Sequence, residues 1–259
     1  MILRRFSCAV LGLLAAPALA ADEPPICTDR PAKANATCSV PAGKFQLESS
    51  LAQRAWIESG GVKTDIWQVG SSVLKYGLSN RSDLQVSFTP YVDIDSGPSH
   101  VSGIGDLTVR YKYRLTGDAA KIQVAVIPFA KLPTAKQGIG NGKAEGGLAV
   151  PISIATGSPV TVVLGPEIDL LADSDGDGRH LQLVNLVNVS APVAPRLTLA
   201  GEFWTATNFD PAGNVTQVSL DGAAAYALSN RLQLDAGTNL GLNRNTPRIE
   251  FYAGFSIRF

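Results

Sequence analysis

Cysteine and histidine are scarce in this chain: three and two among 259 residues. A metal centre built from such ligands needs more of them at close spacing, and enzyme chemistry is left with two candidate imidazoles. After residue 20 no uninterrupted apolar run approaches the roughly 20 residues that a membrane-spanning helix requires. Nor does any stretch show a convincing three-to-four-residue apolar period. Charge of one sign is missing too, since 22 basic residues balance 22 acidic ones. Nucleic-acid binding wants a basic footprint that is not here.

One short apolar run does exist, at the start. Arg4 and Arg5 precede CAVLGLLAAPALA, which ends on Ala18-Leu19-Ala20. A basic stretch, a short apolar core and an A-x-A site form a secretory signal peptide, residues 1–20. Cys8 lies inside its apolar core. Cleavage leaves 20 basic residues against 22 acidic ones, a net charge of −2. It also leaves two cysteines, Cys27 and Cys38 in CTDRPAKANATC. In an oxidising exported compartment such a pair reads as a disulfide rather than a metal or redox site. The loop it closes is short, so it would staple a periplasmic N-terminal segment or plug, residues 21–42.

What fills the rest of the chain, residues 43–259, is a period of two. In LTVRYKYRL, Leu107, Val109, Tyr111, Tyr113 and Leu115 share one face, while Thr108, Arg110, Lys112 and Arg114 share the other. SDLQVSFTPYVD puts Leu84, Val86, Phe88 and Val92 opposite Asp83, Gln85, Ser87, Tyr91 and Asp93. RLQLDAGTNL and RIEFYAGFSIRF split in the same way. Pro128 and Pro166 interrupt this pattern, because proline lacks the N–H that a ladder needs. The phases of Ile66–Tyr76 and Leu181–Val189 are ambiguous.

Turns repeat as well. KYGLSNRSDLQV and AYALSNRLQLDA share Y-x-L-S-N-R, with KYRLTGDAAKIQV a looser copy, and Ser-Asn and Thr-Gly favour tight turns. Further short links are expected near Ala155–Val160 and Ala191–Arg196. Longer polar, glycine-rich links lie around IESGGVKTD, DIDSGPSHVSGIGD, KLPTAKQGIGNGKAEGG, LADSDGDGRH, TATNFDPAGNV and LGLNRNTPR. Five short links alternating with six long ones predict about 12 strands. Even strand number and segregated loop lengths mark an outer-membrane barrel. A soluble sandwich has no reason to sort its loops this way. The fold class expected is therefore all-β, a single antiparallel transmembrane β-barrel with short periplasmic turns and long extracellular loops. The chain ends on YAGFSIRF, in which Tyr252, Gly254, Ile257 and Phe259 fit an outer-membrane assembly signal read by the barrel assembly machinery.

Several segments resemble a bacterial outer-membrane β-barrel family whose members are described as transporters of the MetA-pathway of phenol degradation. They are Asp29-Arg30-Pro31, Val40-Pro41-Ala42-Gly43 running into Phe45-Gln46-Leu47-Glu48, KYGLSNRSDLQV, GIGDLTVRYKYRL and DSDGDGRH, besides the terminal strand. The resemblance spans nearly all of the mature chain. It implies an outer-membrane location and a transport role, tilted towards aromatic or otherwise hydrophobic small solutes.

The candidate solute path is the inner face. Arg110, Lys112 and Arg114 on the fourth strand would face Asp221 with Ala223, Ala225 and Ala227 on the tenth, and Asp235 on the eleventh. Long bases opposite small residues would leave a slot whose transverse field aligns a polar or anionic solute. Tyr91, Phe129, Trp204 and Tyr252 would supply ring faces. The competing expectation is a structural or adhesive barrel, closed by Glu167, Asp169, Glu202 and Glu250 pairing with the bases or by segment 21–42. A lipid hydrolase is the third reading, since His100-Val101-Ser102 echoes a rim catalytic pair, but no orienting partner is evident. Asp173, Asp175 and Asp177 alternate like the first half of a calcium loop, yet Val184 stands where a bidentate Glu belongs. The expectation is a non-enzymatic solute channel without cofactor or metal, whose partners are outer-membrane lipid, the assembly machinery and a small-molecule solute. Substrate identity and oligomeric state stay open.

Overall fold

The computed structural model describes residues 23–259. The expected signal peptide lies outside the described residues. Twelve antiparallel strands close into a barrel. In chain order they are β1 (Phe45–Ser59), β2 (Val62–Val69 and Ser72–Ser79), β3 (Ser82–Phe88 and Tyr91–Asp95) and β4 (His100–Gly103 and Leu107–Arg114). Then come β5 (Ile122–Leu132), β6 (Glu145–Ala149 and Ile152–Ala155), β7 (Thr161–Leu164 and Glu167–Ala172) and β8 (Arg179–Ala194). The last four are β9 (Leu197–Asn208), β10 (Val215–Ser229), β11 (Leu232–Gly241) and β12 (Ile249–Arg258). Each strand pairs with the next, and β1 pairs with β12 from Gln46↔Arg258 to Trp56↔Ile249. Among the described residues the sheet thus has no open edge strand, which a hydrocarbon environment demands.

Alternation decides what faces lipid. On β4, Tyr111 and Tyr113 are exposed on the outside while Lys112 and Arg114 are buried inside. Leu74, Tyr76 and Leu78 do the same on β2, with Lys75 buried between them. On β8 the inward row is His180, Gln182, Val184, Leu186 and Asn188, and the outward row is Leu181, Leu183, Val187 and Val189. That strand was ambiguous in sequence because the middle of its inward row is apolar too.

The alternation slips in four adjacent strands. A bulge sits between Ser50 and Ala52 in β1. The ladder is interrupted at Gly70–Ser71 in β2, Thr89–Pro90 in β3 and 104–106 in β4. Each interruption shifts the phase by one residue, so every side chain above it changes face. Tyr91, expected in the lumen, is thereby turned outward: it pairs with Val69 and is 45% exposed, while Val92 is 5% exposed. Above the slips the outer face carries Arg54 paired with Asp65 at 2.5 Å, the guanidinium lying 4.5 Å from the Trp56 ring centroid and 4.6 Å from that of Trp67. Aromatic rings and ion pairs there suit the interface at a barrel rim.

Two features of the links differ from expectation. The first outer link is a two-residue turn, Gly60–Gly61, because both glycines take positive φ (58° and 81°), as a tight hairpin requires. Conversely, the inner link 115–121 is seven residues long. The two prolines are accommodated differently. Pro166 lies between the halves of β7 and its carbonyl accepts the Val150 N–H, while Pro128 stays within β5 opposite Leu148.

Gly254 has a structural role at the seam between β12 and β1. A Cβ there would lie 2.2 Å from the Ser49 carbonyl oxygen and 2.4 Å from Arg30 Nη2. Gly254→Ala should therefore destabilise the closed barrel by about 1–3 kcal/mol, lowering the temperature at which its compact gel band converts to the unfolded one. Gly222→Ala, with nothing within 4 Å of the new Cβ, should leave that temperature unchanged. Equal behaviour of the two variants would contradict the seam packing.

Candidate functional site

The lower half of the lumen, towards the chain termini, is lined by charge. Lys75, Glu48, Asp83 and Lys112 are each at most 2% exposed. Buried charges of this kind are stable only when paired and hydrogen-bonded. Their partners come from the segment that precedes β1. Residues 27–40 run inside the barrel, and the Cys27–Cys38 disulfide joins the limbs of the loop across a Cα–Cα distance of 6.2 Å.

Asp29 is the centre of the contact. Its carboxylate accepts from Lys75 Nζ at 2.5 Å and from Lys112 Nζ at 3.0 Å. Lys75 also reaches Glu48 at 2.5 Å, and Glu48 in turn accepts the backbone N–H groups of Asp29 and Arg30, both at 3.1 Å. Burial works against the Asp29 charge, but Lys112, Lys75 and Arg110 outweigh it and hold the carboxyl well below the usual carboxylate range.

The rest of the loop is tied to other walls. Arg30 forks onto Asp235 of β11, with Nη2 at 2.5 Å and Nε at 3.1 Å from the carboxylate, and donates to Ser50 Oγ at 2.6 Å. Its guanidinium is 5.9 Å from the Tyr252 ring centroid. Lys33 crosses to β10, bonding Asp221 at 2.5 Å and Ser219 at 3.0 Å, and stands 4.8 Å from the Trp204 ring centroid. Glu202 of β9 accepts the Lys33 and Ala34 N–H groups at 3.1 and 3.0 Å. Val40 N–H donates to Asp83 at 2.9 Å.

The sequence-predicted residues are thus distributed as follows. Arg110, Lys112 and Arg114 all face inward. Arg110 donates to Asn35 Oδ1, Lys112 to Asp29, and Arg114 to Asp118 of the inner link. Asp221, Asp235, Glu202 and Trp204 face the lumen and meet the loop; Tyr91 does not. Of the four acids expected to neutralise the bases, none forms an ion pair with them among the described residues. Glu202 and Glu250 bond to amides instead. Sequence reasoning missed Asp29, Arg30, Lys33, Lys75 and Glu48. The available signal was the charge of DRPAK, in a stretch too polar to be strand and close to a cysteine pair.

Opposite the loop the lumen changes character. Ile127 and Ala125 of β5, Ala149 of β6, Val184 and Leu186 of β8, and Ala206 of β9 are buried apolar residues on the inner face. Between loop and wall, on the lower side, lies a cavity of about 480 Å³ bordered by small side chains such as Ser153, Thr161, Ser190, Ala200, Ala225 and Ala227. A second cavity of about 190 Å³ lies against Val184, Leu186 and Trp204, and Asn35 borders both.

The other motifs settle elsewhere. His100 is held by Asp93 at 2.8 Å on the outer face, so the orienting group missing from the sequence reading exists. No hydrogen bond joins His100 to the Ser102 hydroxyl, whose backbone carbonyl accepts from Lys136. Asp173 bonds His180 at 2.8 Å rather than opening into a calcium loop, and Asp175 Oδ1 caps the Asp177 N–H. No group of three or more potential metal ligands is assembled among the described residues.

Comparison with known proteins agrees with this architecture. An outer membrane channel from Pseudomonas putida F1 superposes with a TM-score of 0.70 at 16% identity, covering 86% of this chain and 98% of that one. The NanC porin gives 0.55 at 11% identity, over 82% of this chain and 98% of its own. The translocator domain of autotransporter NalP from Neisseria meningitidis gives 0.52 at 14% identity, over 85% and 90%. Identities this low establish the fold alone. No curated protein matches the chain in sequence. The model of one family matches residues 28–259, and this outer-membrane β-barrel therefore belongs to the family described as "Putative MetA-pathway of phenol degradation".

Proposed function

We propose that the protein is a non-enzymatic outer-membrane channel for small, largely apolar solutes, aromatic compounds among them. In this reading the solute moves between the inner loop and the β5–β9 wall. The observation that carries it is the division of the lumen. The charged wall is consumed by the loop, through Asp29, Arg30 and Lys33, so its field no longer acts across an open slot. What faces the remaining space is an apolar patch of Ala149, Val184, Leu186 and the Trp204 ring, with Glu167, Gln182 and Asn35 at its side. An apolar ring loses little against that patch, where a hydrated ion would shed water without replacement. In this reading the ion pairs of Lys112, Asp221 and Asp235 with the loop close much of the transverse field expected from the sequence. The family's association with phenol degradation supports the same solute class.

A structural barrel with a closed lumen is the second reading, favoured by the density of bonds that hold the loop in place. Uptake separates the two. Proteoliposomes should accumulate a labelled monoaromatic faster than vesicles holding heat-unfolded protein. Val184→Arg and Leu186→Arg, which put a cation on the apolar wall, should reduce that rate at least about tenfold, the kinetic equivalent of about 1.4 kcal/mol, while the folded gel band persists. Wild-type uptake no faster than the control would reject the channel reading in favour of the closed barrel.

A further inference from the structure

The outer link between β5 and β6, residues 133–144, is polar and glycine-rich, and such a link ordinarily stands out in water. Here it turns back into the mouth of the barrel. Gly103 of β4 pairs with Val92, whose side chain is buried on the inner face, so position 103 also faces the lumen. A Cβ there would lie 2.6 Å from Lys136 Cδ, 2.8 Å from Lys136 Cβ and 3.3 Å from Ile139 Cδ1. The bare backbone at Gly103 is thus the seat on which the link rests, and only glycine permits so close an approach. Lys136 adds two bonds to the same stretch. Its N–H donates to the Ile104 carbonyl at 3.1 Å and its ammonium to that of Ser102 at 2.7 Å.

Charge holds both limbs of the link. Asp106 lies in the interruption of β4. Its Oδ1 accepts the Ala135 N–H at 2.8 Å, and its Oδ2 meets Lys131 Nζ at 3.2 Å. Lys131 continues the inner row of β5 above Ile127 and Phe129, and it also reaches Glu145 of β6 at 2.7 Å. Asn141, on the returning limb, bridges this pair: it accepts from Lys131 at 2.9 Å and donates to Glu145 at 2.7 Å. The Thr134 hydroxyl accepts the Leu107 N–H at 2.8 Å. None of these bonds involves the N-terminal loop, so the mouth is narrowed independently from above.

We propose that link 133–144 is a constriction folded into the outer mouth, and that Asp106 is the positioning residue that keeps it there. The link sets an upper size for what enters the lumen, a property separate from the chemistry of the wall beneath it. The proposal rests on the channel reading for the solute that is filtered, whereas the seat of the link can be tested without transport.

Phe129→Cys supplies a reporter thiol on the inner face below the link. Small and bulky membrane-impermeant thiol reagents are added from the outer side, with the compact gel band as the control for folding. The bulky reagent should label the reporter at least about tenfold more slowly than the small one. Asp106→Ala, which removes both the acceptor for Ala135 and the partner of Lys131, should speed the bulky reagent at least about tenfold, equivalent to about 1.4 kcal/mol of barrier, and change the small one little. Asn141→Ala, in the link itself and outside every strand, should act in the same direction. In a separate chain, Gly103→Cys with Lys136→Cys should close spontaneously into a disulfide, because their Cβ atoms lie near the roughly 3.5–4.5 Å that the bond spans. Labelling by both reagents at one rate, bulky labelling unchanged in both folded variants, or no cross-link would each overturn the proposal. Uptake of a labelled monoaromatic judges the channel reading separately: size-selective labelling without uptake leaves the constriction and removes the channel.

Discussion

The structure turns on one carboxylate held between two ammonium groups. Asp29 sits where Lys75 of β2 and Lys112 of β4 converge, with Glu48 of β1 completing the set. Two lysines buried in a barrel wall keep their charge only with such partners, and Asp29 adds to the Glu48 and Asp83 that the strands supply at that level. The inner loop is thus part of what makes the β1–β4 wall possible. Conversely, a polar segment of some twenty residues, with no core of its own, is ordered because the wall presents unpaired charge at fixed positions. The Cys27–Cys38 bond limits the conformations that the loop must give up on docking.

This pairing also divides the interior. Charge is concentrated where the loop lies, along the lower halves of β1–β4 and on β9–β12. The opposite surface, from Ile127 to Ala206, carries buried apolar side chains, with Glu167 and Asp169 of β7 among them. The four phase slips contribute, since above them Val92 and Ile66 turn inward and Asp65, Asp93 and Tyr91 turn out to the rim. Apolar side chains on both faces of part of a barrel wall are unusual in a porin-like protein, whose interior is ordinarily wet. Here it leaves a strip rich in apolar side chains beside an ion-paired one.

Strand number, turn position and the outward faces of β4, β8 and β10–β12 were legible because lipid outside and polarity inside write a period of two. The S-N-R turns were legible for a similar local reason. The upper halves of β1–β4 were not. A bulge shifts the phase without altering composition, so SFTPYVD reads as continuous alternation although it reverses at Pro90. IESGGVKTD reads as a long loop because its polar residues stand beyond the lipid, where strands lose their oily face. The site was half visible: the wall residues Lys112, Asp221, Asp235 and Glu202 could be placed inward from spacing alone. Their partners could not, because Arg30 meets Asp235 across 205 positions of sequence and the loop carries no period of its own.

Planar-bilayer conductance of wild type against Asp29→Asn measures that dependence most directly, with the compact gel band as the control for folding. Removing the one negative charge between Lys75 and Lys112 should loosen the loop, giving larger and noisier ionic currents through the charged half of the lumen. Currents identical to wild type from a folded Asp29→Asn barrel would contradict the account.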